Sequence, residues 1–260
     1  MNLKAVTAAF KQQGIQFLAD PQWIIPSIIA PFMFTIVALY MHTDLTGPVV
    51  LTAVLGGGVL GMWGNMLFAS GFTITYDRYN GTIEPIMMTP SHMIDVIAGR
   101  SIWNALIGLL NAVLVFISAE AIFGVGVSLA DPLMFFAMLV LTLFALASIG
   151  LMLAALFVLT RASFVVMTIL QFPIYVFSGA LFPIQQLGVF APISYVLAPT
   201  WSVDALKIAA IGHGDTIVSL GLSFNVAIAF VLMAFYIAAA YFLFKIIERN
   251  IRESGALVRY

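Results

Sequence analysis

Residues 76–90 read YDRYNGTIEPIMMTP. They are the longest polar interruption in the first half of an otherwise apolar sequence, and they lie between two segments long enough to cross a bilayer. Thr82 has the chemistry of a helix N-cap. A helix starting at Ile83 would hold Glu84 in its first turn, where a negative charge favours the helix dipole. Pro85 is tolerated there because first-turn amides have no intrahelical acceptor, and Pro90 ends the helix. The expected product is a short helix presenting Ile86, Met87 and Met88. Methionine suits a contact that repacks as its partner moves. The residues alone leave two readings open: a knob that docks on a soluble motor, or a segment that dips into the membrane interface.

Composition identifies the solvent. The chain has 260 residues, of which 63% are hydrophobic and 8% charged, with a mean hydropathy of +1.11. Soluble domains carry about 25% charged residues, so lipid must solvate most of this surface. A net charge of −1 and the lack of any basic run argue against a nucleic-acid partner. Cysteine is absent, which excludes disulfides, thiolate metal sites and a cysteine nucleophile. No small-residue cleavage pattern follows the first apolar run near Trp23, which is expected to stay as a signal anchor.

The pattern predicts an all-α, polytopic membrane protein forming a single transmembrane domain over 1–260. Within residues 1–21, Leu3, Val6, Phe10 and Phe17 recur at helical spacing among Lys4, Lys11, Gln12, Gln13 and Gln16, as in an amphipathic helix lying in the headgroup layer. Six spans are expected, over residues 23–41, 49–71, 96–118, 132–159, 164–181 and 217–244, with Pro26 and Pro31 bending the first. Residues 179–207 are apolar but broken by Pro183, Pro192 and Pro199, so they read as re-entrant or interfacial half-helices. An even number of spans puts both termini on one side. That side carries Lys4, Lys11, Arg78, Arg100, Arg161, Lys245, Arg249, Arg252 and Arg259. The other carries Lys207 with Asp44, Glu120, Asp131, Asp204 and Asp215. The positive-inside rule therefore places both termini and the 76–90 loop in the cytoplasm and residues 179–207 outside.

No ionisable residue is expected at the centre of a span, and His42, His92 and His213 fall in connections. Ion-coupled carriers need buried ionisable groups, so the energy for transport is expected from another chain. The polar residues within the spans, Asn65, Asn104, Asn111, Thr142, Ser148 and Gln171, suit helix–helix glue. Gln171, followed by Pro173, is the best exception. The candidate substrate path is Asn65, Gln171, Phe172 and Tyr175. Gly57 and Gly61 lie four apart, a spacing that lets helices approach closely. The sequence contains no G-x-x-x-x-G-K-[ST] phosphate loop.

The stretch 77–90, DRYNGTIEPIMMTP, resembles the signature of ABC-2 type permeases, the membrane subunits of ATP-binding-cassette exporters. Residues 199–207, PTWSVDALK, resemble the segment before the last span of that family. Tyr79-Asn80 departs from the more charged residues of many members. The resemblance implies a coupling helix between spans two and three, with Arg78, Gly81, Thr82, Ile83, Glu84, Ile86, Met87 and Met88 facing a nucleotide-binding subunit. It also implies outer re-entrant helices before span six, and a second permease copy or sister permease that completes the path. The chain itself would hold no cofactor and perform no catalysis; ATP and magnesium would be bound by the cytoplasmic ATPase subunit. The alternatives are a self-contained membrane carrier and a membrane-embedded lipid-modifying enzyme using Asp77, Glu84, His92 and Asp95.

Overall fold

The computed structural model describes residues 2–19, 21–40, 47–89, 91–123, 129–159, 163–181, 183–212 and 221–254. All of its regular elements are helical: α1 (Leu3–Ala19), α2 (Pro21–Tyr40), α3 (Gly47–Tyr79), α4 (Ile83–Met88), α5 (Met93–Phe123), α6 (Pro132–Leu159), α7 (Ser163–Phe177), α8 (Ala191–Val196), α9 (Ala198–Ile211) and α10 (Leu222–Ser254). A 3-10 turn at Ile184–Phe190 precedes α8. Asp44, Pro90, Arg161, His42, His213, Asp215 and Arg259 lie outside the described residues.

Among the described residues, four helices are long and apolar enough to cross a membrane, with windows at Val50–Leu67, Met93–Ala121, Pro132–Val158 and Leu222–Ile247. The pair Ile184–Val196 and Ala198–Ile211, bent by 110°, makes a fifth if taken as one broken span. Within the expected broken segment of residues 179–207, Ile184–Phe190, α8 and α9 are therefore helical, as backbone without water requires. α2 runs as one helix through Pro26 and Pro31.

α3 is the centre. The Val50–Leu67 window is 89% buried within the chain, against 22% for Leu222–Ile247 of α10. Successive glycines of α3 meet different neighbours. A Cβ on Gly56 would lie 2.7 Å from the Ala180 carbonyl oxygen, just beyond α7. On Gly57 it would overlap the Thr35 hydroxyl of α2, and on Gly61 it would lie 2.7 Å from Cγ of Pro31, one turn earlier in α2. The reciprocal contact from α5 is Gly108, whose added Cβ would sit 3.1 Å from the Met62 Cα. The Gly57/Gly61 spacing thus seats α2, while Gly56 takes the turn after α7. Around this hub Trp63, Met62, Leu67, Leu146, Phe157 and Met167 are fully buried.

Four expectations need correction. α7 stops at Phe177, and residues 178–181 form a turn. Fifteen residues rise only about 22 Å. α3 extends eight residues past the expected end of its span, so residues 76–79 are helix rather than loop. Most of the polar residues proposed as interhelical glue bond to their own helices instead. Asn65 Nδ2 donates to Gly61 O (2.9 Å), Asn104 Nδ2 to Arg100 O (2.8 Å), Thr142 Oγ1 to Met138 O (2.8 Å) and Ser148 Oγ to Ala145 O (2.7 Å). The second lone pair of a backbone carbonyl about one turn back is the nearest acceptor available in an apolar surrounding. The sixth span begins at Leu222 and runs to Ser254, and the expected residues 217–220 lie outside the described residues.

Gly57→Ala should destabilise the protein by about 1–3 kcal/mol, the usual cost of overpacking. Gly58→Ala, whose Cβ would meet Ala112 at an ordinary 3.4 Å, should be close to neutral. Thermal unfolding of the two variants in detergent checks the contrast.

Candidate functional site

The turn from α3 into α4 is built on Asp77. α3 ends at Tyr79, and Gly81 takes φ of +66°, a left-handed conformation that glycine adopts without steric cost. The chain then doubles back so that Thr82 N donates to Asp77 O at 2.8 Å. The expected N-cap by Thr82 is not formed, since its hydroxyl donates instead to Asp77 Oδ1 at 2.9 Å. The physical reason is geometry: Thr82 has helical backbone (φ −86°, ψ −11°) rather than the extended backbone of a capping residue, and Pro85 at the third helical position has no N–H to donate to its hydroxyl. The other end of α4 is closed by Thr89, whose N and Oγ1 both donate to Ile86 O.

Asp77 also receives Arg100, from the second turn of α5, with Nη1 to Oδ2 at 2.5 Å. Both side chains are buried, at 4% and 7% exposure for Arg100 and Asp77. Arg100 Nη2 reaches further, to Gln12 Oε1 of α1 at 3.3 Å. α1 is itself seated on α5. Asn2 N donates to Asp95 Oδ2 (2.9 Å), the α1 backbone at Val6 touches Gly99 so closely that a Cβ there would overlap its carbonyl oxygen, and Phe10 meets Trp103 edge-on with centroids 5.3 Å apart. The predicted amphipathic helix therefore exists, with Val6 and Phe17 buried, but Gln13 is buried as well and Leu3 is exposed. One buried ion pair joins α1, α3, α4 and α5.

On this mount α4 shows its apolar face. Tyr79 is 87% exposed and Met88 86%, with Ile86 half-buried beside them. The side chains of Arg78, Ile83, Glu84 and Met87 lie outside the described residues, and their backbone belongs to α3 or α4. Asp77, His92 and Asp95 do not gather into a ligand set: Asp77 holds Arg100 and Thr82, and Asp95 holds the start of α1.

The expected path residues divide. Gln171 Nε2 donates to the Tyr175 hydroxyl at 2.8 Å, and that hydroxyl donates to Leu60 O of α3 at 3.3 Å. Phe172 packs edge-on to Tyr175 and is itself 60% exposed. Asn65 is buried and committed to its own helix. Gln171, Phe172 and Tyr175 thus come together at the α3–α7 contact, and Asn65 does not join them. Phe172 continues a stripe with Val165 and Ile169, all exposed along one side of α7.

A model of the family described as ABC-2 type transporter matches residues 4–211. The chain belongs to the ABC-2 type transporter family. No curated protein matches it significantly. Membership makes the chain an integral multi-pass membrane protein and a permease component of an ABC transporter, not itself catalytic. Asp77, Asp95, Arg100, Asp204 and Lys207 of the permease are all buried, although none lies at the centre of an expected span. Sequence reasoning overlooked Arg100 as a structural centre. The available signal was a guanidinium in the first turns of an apolar helix, which requires an acceptor such as Asp77.

Removing one member of the Asp77–Arg100 pair, as in Arg100→Met, should destabilise the permease by about 3–5 kcal/mol, because a buried charge is left uncompensated. Asp77→Leu combined with Arg100→Met should recover much of that loss. A double-mutant cycle by thermal unfolding measures both.

Proposed function

We propose that this permease is the membrane subunit of an ATP-driven exporter in the plasma membrane, with both termini and α4 in the cytoplasm and six spans in all. The observation that carries the reading is α4 itself: a short helix with an exposed methionine and a neighbouring exposed tyrosine, braced by a buried ion pair to three other helices. Exposed apolar side chains on a rigid mount suit a partner that delivers force. In this reading α4 is the coupling helix, and Arg78, Gly81, Thr82, Ile83, Glu84, Ile86, Met87 and Met88 meet a nucleotide-binding subunit that holds ATP and magnesium. Binding of ATP there pushes α4, and the push passes through Asp77 and Arg100 into α3 and α5.

The substrate path forms where two permeases, identical copies or sisters, face each other. Because α3 is nearly enclosed within its own chain, the exposed stripe Val165, Ile169 and Phe172 of α7 is the better face for that pairing. Gln171 and Tyr175 lie behind it as the polar part of the path. An apolar stripe of this kind favours amphipathic or lipid-like cargo, such as a drug, an antibiotic or a lipid-linked glycan.

Purified gently from its native membrane, the permease should bring with it a vanadate-sensitive ATPase. Replacing Ile86, Met87 and Met88 together by Asp should weaken that attachment by at least ~tenfold, a factor worth about 1.4 kcal/mol. Glu84→Ala should lower transport several-fold while the complex stays assembled. An ATPase that never travels with the protein, or that binds the triple variant unchanged, would sink the proposal.

A further inference from the structure

At the end of α3 opposite Asp77, three polar side chains on one stripe of α9 are buried: Thr200, Asp204 and Lys207. Each reaches a different piece of chain. Thr200 Oγ1 donates to Phe177 O at 3.0 Å, and Lys207 Nζ donates to Gly179 O at 2.8 Å. Asp204 Oδ2 accepts from Asn225 Nδ2, in the first turn of α10, at 2.5 Å. The first two acceptors are the last carbonyl of α7 and one just beyond it. A helix end leaves its final carbonyls without intrahelical donors, and a cation there meets the negative end of the dipole. The same turn carries Ala180, whose carbonyl oxygen lies against Gly56 of α3. Gly179, at φ +72°, shapes the turn so that both carbonyls face α9.

We infer that Lys207, with Thr200 and Asp204, is a positioning device for transport: it tethers the end of α7 to α9 and α10, so that α7 pivots there when it is moved from its other end. This rests on the proposed exporter function for its transport readout. Burying an ammonium is costly, and an apolar residue would fill the space at less expense. A lysine offers what an apolar contact does not. Its flexible four-carbon stem and rotatable donors keep hold of a carbonyl while the helix behind it tilts.

The test uses the permease with its native ATPase, comparing Lys207→Met, Lys207→Arg and Thr200→Val. Lys207→Met should keep assembly and ATP hydrolysis near wild type while transport per ATP falls on the order of tenfold, a common size for coupling between distant sites. Lys207→Arg should restore most of it, and Thr200→Val should lose less than Lys207→Met. A second readout needs no ATPase. The chain has no cysteine, so Ile169→Cys and Phe230→Cys introduce a clean spin-label pair on α7 and α10 of the purified permease. The wild-type distance should be narrow, broadened by Lys207→Met and narrow again in Lys207→Arg. Unchanged transport per ATP, or an unchanged distance distribution, overturns the inference. If Lys207→Met does not assemble, Thr200→Val decides: wild-type coupling and distances there overturn it equally. An absent ATPase with a Lys207-dependent distance would remove the exporter reading and leave the tether standing.

Discussion

Contact at backbone distance with α3 is the constraint on which the permease depends. Lipid tails are as apolar as leucine, so burying a leucine face between helices gains little in a bilayer. What remains is close packing, and glycine allows the closest. Gly56, Gly57 and Gly61 give the turn after α7 and the middle of α2 places against α3 that no side chain could share. Once α3 is enclosed in this way, its two ends become fixed points for everything attached to them.

Those ends are finished differently. At the α4 end a full ion pair, Arg100 with Asp77, gathers four helices through bonds in several directions, which suits a guanidinium with its planar fork of donors. At the α9 end a lysine and a threonine hold backbone carbonyls. The first arrangement fixes orientation as well as distance, whereas the second fixes distance more than orientation. The movement proposed for α7, driven from one end and retained at the other, would draw on that asymmetry.

Much of this architecture was legible in the sequence. Long apolar runs reported α3, α5, α6 and α10, because lipid demands them continuously. The prolines at 183, 192 and 199 reported the broken helices before α10, and glycine spacing reported the seat of α2. Polar pairing was not legible. Thr82 has the chemistry of a cap, yet Asp77 lies within its reach only once Gly81 has turned the chain. Asp204 and Lys207 read as outer-loop charges because Asn225, which donates to Asp204, lies on another helix, and the Gly179 carbonyl that accepts from Lys207 is a main-chain atom that no sequence pattern marks. The exposed stripe of α7 was hidden for a related reason: α7 is apolar all round, and only packing reveals which side the chain leaves uncovered.

The shortness of α7 has a consequence for the surrounding lipid. If α7 crosses the bilayer as proposed, its fifteen described residues rise about 22 Å, several ångströms short of the roughly 30 Å hydrocarbon layer that α6 and α10 are long enough to cross. A single copy with this side turned to lipid must draw the two leaflets together around Val165, Ile169 and Phe172, at a cost of fractions of a kcal/mol per Å. Two copies that cover these stripes against each other relieve the deformation without any specific side-chain contact. Hydrophobic mismatch would thus favour the pairing at α7 proposed above, and membranes made of longer acyl chains would strengthen that preference.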